Sequence, residues 1–318
     1  MVAKAEHTGR GNKGRIDPSL LLAESLDARW RKYRKELKRC RKKCAEKTVH
    51  DLRVASRRLV STLDMLRLVL PDKRLKVMRQ ALKKQLNLFG PLRDVQVQIL
   101  DVQKMLVSYP QLELFLTILL LRERQLMKRI VKNVRKVETR SLGQYVGILK
   151  SLVRTRFSDP QLARVCMAAL KGAAAAALAR SVDLLRKVDP EDTQTIHRLR
   201  LSFKKLRYTL EVLGPLLGGM PEKRLKAMNE YQVKMGNVQD IEVLMANINS
   251  FASRRLRSRT SSLQPVHQEL AKRRLVLIET FMQSANDLYT FWGDRINSSR
   301  ERPSDARVRD GKANAHAD

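Results

Sequence analysis

Apolar residues recur along most of the chain at spacings of three and four positions, and alternating strand-like segments are nearly absent. This period predicts α-helices almost everywhere, because residues three and four apart share one face of a helix. Turn-forming pairs divide the chain into stretches of about 15–30 residues, a length typical of helices in bundles. The sequence therefore predicts an all-α fold. The predicted breaks lie at Asp17-Pro18, Pro71-Asp72, Gly90-Pro91, Tyr109-Pro110, Asp159-Pro160, Asp189-Pro190, Gly218–Pro221 and Gln264-Pro265.

The sequence also contains an internal repeat. One copy reads VHDLRVASRRLVSTLDMLRLVL from Val49, and the other reads IHRLRLSFKKLRYTLEVLGPLL from Ile196. Similarity resumes at KRLKVM against KRLKAM, and again at FGPLRDVQV against MGNVQDIEV. Three matches in one order indicate a duplicated multi-helix unit. We predict two halves that pack about a pseudo-two-fold axis, and we expect disordered polar tails at both ends. The predicted halves are about 18–158 and 159–296, and the predicted tails are 1–17 and 297–318.

Within each copy, basic residues form a stripe on one side of a helix and leucines form the other side. On a helical wheel of about 100° per residue, His50, Arg53 and Arg57 share the basic side of the first copy. One basic stripe is usually an ordinary solvated face. Two stripes with the same spacing and no acidic partner favour an anion that compensates the like charges. The second stripe comprises His197, Arg200 and Lys204, and the flanking cations are Arg58 and Lys205.

The overall charge points to a polyanionic partner. The 318 residues include 65 Lys and Arg against 32 Asp and Glu, a formal net charge of +33. Nucleic acid, an anionic membrane or a phosphate polymer would offset the resulting self-repulsion. Aromatic residues make up 5% of the chain, which favours a polymer without bases over RNA, because single-strand binders rely on aromatic stacking. Phe203 and Tyr208, near the second stripe, argue the other way.

The cysteine content and the apolar runs predict a cytoplasmic protein. Three cysteines are too few for a disulfide framework, so a reducing compartment is expected. The first 15 residues lack the apolar core of a signal peptide. The longest apolar run, at 112–121, is too short to span a bilayer, so we expect no membrane insertion.

We find no constellation that predicts catalysis. A phosphate-binding G-x-x-x-x-G-K-[ST] loop does not occur in the sequence. Cys40, Cys44 and His50 form a conceivable metal site, but a fourth ligand is missing, so reduced cysteines are the better interpretation. Asp94 and Asp240 each follow a predicted turn, where helix capping or an ion pair explains them better than acid–base chemistry. We therefore expect a non-enzymatic binding protein with no cofactor, no catalytic residues and no metal ligands.

The repeated motifs resemble a known family. The H-x-x-R-V-x-x-R-R-L core of the first copy, its counterpart in the second, and the G-x-x-(R/Q)-D segments that follow are similar to the CHAD domain family, the conserved-histidine α-helical domain. The resemblance covers roughly residues 18–296. It implies two four-helix-bundle-like halves around a pseudo-two-fold axis. Family members carry a basic cavity or groove there that binds inorganic polyphosphate, and some accompany polyphosphate granules.

The resemblance also implies a set of phosphate ligands. The two halves differ at several motif positions: Val60 replaces a basic residue that Arg207 retains, Asn229 stands where Lys83 does, and Gln96 corresponds to Glu242. We therefore expect the halves to bind the polymer unequally. The implied ligands are His50, Arg53, Arg57, Arg58, Lys83, Arg93, His197, Arg200, Lys204, Lys205 and Arg207. Neighbouring cations that either extend the site or are simply solvated are Lys76, Arg79, Lys226 and Lys234.

Three functional hypotheses follow from these patterns. The first is a module that binds inorganic polyphosphate without turnover and localises to polyphosphate granules. The second is a basic helical protein associated with nucleic acid, which would bind DNA, RNA and polyphosphate comparably. The third, a phosphate-ester enzyme, is disfavoured by the missing carboxylate cluster. The sequence leaves the oligomeric state open.

Overall fold

A computed structural model describes residues 16–255 and 263–291, and every regular element in these ranges is helical. The all-α prediction is therefore confirmed. The predicted tails lie outside the described residues, apart from Ile16 and Asp17, and their disorder stays a prediction. The helices are α1 (Pro18–Lys42), α2 (Glu46–Leu66), α3 (Lys73–Met105), α4 (Glu113–Lys136), α5 (Arg140–Ser158), α6 (Pro160–Arg186), α7 (Thr193–Leu213), α8 (Glu222–Arg255) and α9 (Gln264–Met282).

Aspartates begin several of these helices where the turn-forming pairs predict a break. Asp17 accepts a hydrogen bond from the backbone N–H of Ser19 at 2.8 Å, and Asp72 does the same for Arg74 at 2.8 Å. Asp159 caps α6 by accepting from Gln161 N–H at 2.7 Å. Each carboxylate satisfies an N–H group that has no partner within the first helical turn.

The predicted break at Gly90-Pro91 is wrong. Helix α3 runs without interruption from Lys73 to Met105 and contains Pro91. Proline removes one backbone hydrogen bond, but the buried side chains of Phe89 and Leu92 on either side anchor both segments of α3 in the core. Asp94 therefore lies in the middle of α3, and Asp240 lies in the middle of α8. Helix capping, one of the two roles expected for these aspartates, is excluded by their positions.

Helix lengths recur in the order expected from the sequence repeat. Helices α1 to α4 have 25, 21, 33 and 24 residues, and α6 to α9 have 27, 21, 34 and 19. Helix α5 connects the two series and packs against α1 and α6. Corresponding helices also contact each other, α2 with α7 and α3 with α8. The pseudo-two-fold axis and the boundary between the halves stay predictions.

Two apolar clusters hold the helices together. The larger cluster gathers the apolar faces of α1, α2, α5, α6 and α7. The smaller one joins the end of α3 and the start of α4 to the end of α8 and the start of α9. In it, the rings of Phe115 and Phe251 lie 5.2 Å apart, and Asn247 donates a hydrogen bond to Gln98 at 2.9 Å. The smaller cluster thus fixes α3 against α8.

Helix α6 is the one described helix that is long and apolar enough to cross a membrane by length and composition. Its most apolar 18-residue window has a mean hydropathy of 1.5, and 22% of that window is buried. One such helix is weak evidence for a span. In the fold, α6 packs along α7 and α5.

Candidate anion-binding site

The two basic stripes meet where α2 contacts α7. Arg53 and Arg57 of α2 and Arg200 and Lys204 of α7 are all half-buried. We call these four residues the central cluster. The leucines on the opposite side of each helix lie fully inside the larger core, as the wheel predicts, and this orients both stripes toward each other.

Burial and mutual repulsion disfavour the charged forms of this central cluster. Burial lowers the pKa of Lys204 to about 7, and the charges of Arg57, Arg200 and Arg53 add to the effect. Burial, with the charges of Arg57 and Arg93, also lowers the pKa of Arg53 to about 10. The central cluster is thus a site where an anion would relieve an existing electrostatic cost.

Several buried donors of the stripes lack a hydrogen-bond partner within the described residues. They are Nε of Arg53 and Nε of Arg200, and Nδ1 of His197 is a further buried polar atom without a partner there. Most buried polar groups in proteins are paired, so unpaired ones need an explanation. A Cβ atom on Gly236 of α8 would lie 3.7 Å from Nε of Arg200, so no side chain stands between that guanidinium and α8.

Two carboxylates accompany the central cluster. Burial raises the pKa of Asp94 on α3, and Arg53, Arg200 and Arg57 oppose that shift. Asp94 is an exposed residue as a whole, but its carboxylate has enough protein around it to be partly desolvated. Burial likewise raises the pKa of Asp240 on α8, against the charges of Arg200 and Arg93. These aspartates offset part of the positive charge, and the ion-pair role expected from the sequence remains open to them.

Some predicted ligands are already paired with a carboxylate. The side chain of Glu211 of α7 is 8% exposed, and its carboxylate lies 2.8 Å from Nη1 of Arg207 and 3.2 Å from Nε of Arg58. The Arg58 contact is an ion pair without hydrogen-bond geometry, because this Nε does not point at the carboxylate. Arg29 of α1, which is not among the predicted ligands, lies 3.9 Å from the same carboxylate. It lies outside the repeated motifs, so the repeat pattern carries no signal for it.

His50 and Arg93 lie at one end of the central cluster. Both border a cavity of about 340 Å³ between α2 and α3 that Arg53 also lines. Burial lowers the pKa of His50, and the charges of Arg53 and Arg93 lower it further. These effects disfavour the charged imidazolium form of His50.

The remaining predicted ligands lie farther out. Arg79 pairs with Asp64, a contact within the protein rather than with a ligand. The roles of these residues stay predictions, since no described contact joins them to the central cluster. Exposed on the surface are Lys76, Lys83, Lys205 and Lys226, and Lys234 is half-buried.

Comparisons with known proteins agree with this architecture. A family model described as CHAD domain matches residues 24–249. The crystal structure of the CHAD domain from the plant Ricinus communis has a TM-score of 0.61 and 15% identity, and the match covers 86% of this chain and 92% of that chain. PptA from Streptomyces chartreusis has a TM-score of 0.51 and 15% identity, with 86% of this chain and 99% of that chain covered.

At this identity, the similarity to either structure shows the fold alone. A comparison with curated proteins found no match. The family model, however, extends over more than half of the chain and includes both basic stripes. The resemblance seen in the repeated motifs is confirmed, and the chain belongs to the CHAD domain family.

Proposed function

We propose that this protein binds inorganic polyphosphate between α2 and α7 and does not turn it over. The observation that carries the proposal is the pair of buried, unpaired Nε donors on Arg53 and Arg200, one from each stripe. Phosphate oxygens are acceptors that guanidinium groups recognise with charge-assisted hydrogen bonds. A bound anion would pair these donors and also reduce the repulsion within the central cluster.

A polymer suits the arrangement better than a single phosphate. The cations continue from the central cluster to Arg93 and His50 along the cavity between α2 and α3. A chain of phosphates presents about one charge per unit and no bases, so a row of donors is all that recognition requires. Binding by CHAD domain relatives, which the sequence resemblance implies, favours the same ligand.

Nucleic acid is the second candidate, and Tyr208 is the observation in its favour. Tyr208 lies beside Arg57 of the central cluster, and single-strand binders stack bases on such rings. Here the guanidinium of Arg207 lies 4.6 Å from the centre of that ring and covers one face. Stacking on this face would require Arg207 to leave Glu211 and Gln232. This cost favours a polymer without bases.

The arrangement of the acidic residues supports the proposal that the bound polymer is not hydrolysed. Among the described residues, no three His, Cys, Asp or Glu side chains are grouped so that they could hold a metal ion. Asp94 and Asp240 are surrounded by arginines, where they balance charge. We further propose that binding takes place in the cytoplasm and directs the protein to polyphosphate granules.

Alanine substitutions test the site against the general surface. We expect Arg53→Ala or Arg200→Ala to weaken polyphosphate binding by about 1–3 kcal/mol, the scale of a hydrogen bond to a charged group. Arg31→Ala is the matched control, because Arg31 is exposed on α1 and its one ion pair within 16–255 and 263–291 is with Asp27, at 3.2 Å. Titration at physiological salt measures the three affinities, and circular dichroism checks that each variant folds. An equal loss in Arg31→Ala would refute a dedicated site.

Competition with other polyanions tests the choice of ligand. Long-chain polyphosphate, duplex DNA and RNA are compared at equal phosphate concentration, with phosphate release monitored in the same samples. We expect polyphosphate to bind about a hundredfold more tightly, a difference of about 2.7 kcal/mol, without release of phosphate. Equal competition would favour the nucleic-acid hypothesis, and phosphate release would refute binding without turnover.

A further inference from the structure

Three sulfur atoms come together at the end of α1, and none of them belongs to a residue of the basic stripes. Cys40 lies in the last turn of α1, and its Sγ atom is 3.8 Å from Sγ of Cys44. Sγ of Cys44 is 3.6 Å from Sδ of Met127 on α4. Both cysteines are free thiols. The sulfur cluster, defined as Cys40, Cys44 and Met127, joins residues that are far apart in the sequence.

The local backbone holds this sulfur cluster in place. Helix α1 ends at Lys42, and Lys43 is extended, so the chain turns and returns Cys44 toward Cys40. Arg41 donates a hydrogen bond from Nε to the carbonyl oxygen of Val134 at 3.0 Å, and this ties the end of α1 to the end of α4. The three sulfur atoms are therefore positioned by the fold rather than by flexible side chains alone.

The two sulfur–sulfur separations that involve Cys44 match those of ligands to one metal ion. Metal–sulfur bonds of ~2.3 Å place two sulfur ligands ~3.8–4.0 Å apart at tetrahedral or trigonal angles. The separations of 3.8 Å and 3.6 Å lie near this range before any adjustment of the side chains. Thiolates and thioethers are soft ligands, and this combination selects Cu⁺ among biological metals. Zn²⁺ normally takes four ligands, and no further His, Cys, Asp or Glu among the described residues completes such a set.

The contact between the two thiols also suits a bound cation. Cys40 donates a hydrogen bond from its thiol to Sγ of Cys44, and a metal ion would replace that proton between the two sulfur atoms. Cys40 is buried, whereas Cys44 is only partly buried, and Met127 borders an open cleft of about 490 Å³. Cys44 and Met127 are therefore the ligands nearer to solvent.

We propose that Cys40, Cys44 and Met127 bind one soft monovalent metal ion of the Cu⁺ type. The ion is held by two thiolates and one thioether, and its binding releases the thiol protons to solvent. This site shares no residue with the central cluster, so the proposal does not depend on polyphosphate binding.

Titration with Cu⁺ tests the site. The reduced, full-length protein competes anaerobically with a chromogenic Cu⁺ chelator, and X-ray absorption identifies the ligands. We expect one ion per chain with three sulfur neighbours at ~2.3 Å. Cys44→Ser should weaken binding by at least about 100-fold, and Met127→Leu by about tenfold, because a thioether is the weaker ligand.

Cys166→Ala is the matched control, because Cys166 is a buried free thiol on α6 outside the sulfur cluster. Its affinity for Cu⁺ should equal that of the unmodified protein. Retention of full affinity by Cys44→Ser, an equal loss in Cys166→Ala, or a two-sulfur spectrum unaffected by Met127→Leu would each overturn the proposal. Circular dichroism of each variant separates loss of the ligand from loss of the fold.

Discussion

The lowered pKa of Lys204 predicts that the protein takes up a proton when it binds polyphosphate. This pKa of about 7 lies far below the ordinary value of 10.5, so the amine is largely neutral at pH 8 when no anion is bound. Burial is the largest cause of this shift and the neighbouring cations add to it; a polyphosphate chain beside the amine opposes both by favouring the charged form. If the bound pKa returns above 10, binding takes up about 0.9 proton at pH 8 and about 0.1 proton at pH 6.

The lowered pKa of Lys204 also destabilises the folded protein, and its direction determines whether stability rises or falls with pH. A pKa lowered in the folded state means that the unfolded chain binds the extra proton between pH 7 and 10.5. The stability of the free protein should therefore rise with pH across that window. The difference from 10.5 to about 7 corresponds to at most about 5 kcal/mol, at ~1.4 kcal/mol per pKa unit.

Calorimetric titration in two buffers of different ionisation enthalpy measures this proton uptake directly. Lys204→Arg keeps a cation but removes the titrating amine, so we expect uptake at pH 8 to disappear and the affinity to vary little between pH 7 and 9. Lys205→Arg is the matched control, because Lys205 is the exposed neighbour. Unchanged uptake in Lys204→Arg, or an affinity of the unmodified protein that is constant over this pH range, would refute the reasoning.

Two further predictions concern the contacts around the site. Glu211→Gln should lower the free energy of unfolding by about 2 kcal/mol in a urea titration, because it removes the charge that pairs with the buried guanidinium of Arg207. The loss is below the ~3–5 kcal/mol of losing a partner entirely, because the amide oxygen of glutamine still accepts a hydrogen bond from Arg207. An unchanged urea midpoint would show that the arginines do not need this carboxylate. Phe251→Ala should cost about 3–5 kcal/mol, because it removes the partner of Phe115 in the smaller core. A loss below 1 kcal/mol would mean that this core does not hold α3 against α8.

The local features of the fold could be read from the sequence. The spacing of apolar residues predicts α2 and α7, because a helix places residues three and four apart on one face whatever surrounds it. The same geometry assigns Arg53 and Arg57 to the polar face of α2, and Arg200 and Lys204 to the polar face of α7. Aspartate caps such as Asp17 are equally local, since the carboxylate and the N–H group belong to one turn.

Where local rules competed with packing, the tertiary structure decided. Pro91 favours the end of a helix by itself, yet the buried residues around it keep α3 continuous. As a result, Asp94 moved from an expected helix start to the middle of α3, close to the central cluster. The sequence shows Asp94 and Asp240, but it does not show that arginines of other helices lie around them.

Contacts between distant segments were decided by tertiary structure alone. The facing of the two stripes, the pairing of Arg29 and Arg58 with Glu211, and the approach of Met127 to Cys44 each join helices far apart in the chain. Such contacts depend on how helices cross and which faces they bury, and many crossings are compatible with one pattern of apolar residues. The sequence thus determined which side chains each helix could offer, and the packing of the helices determined which of them meet.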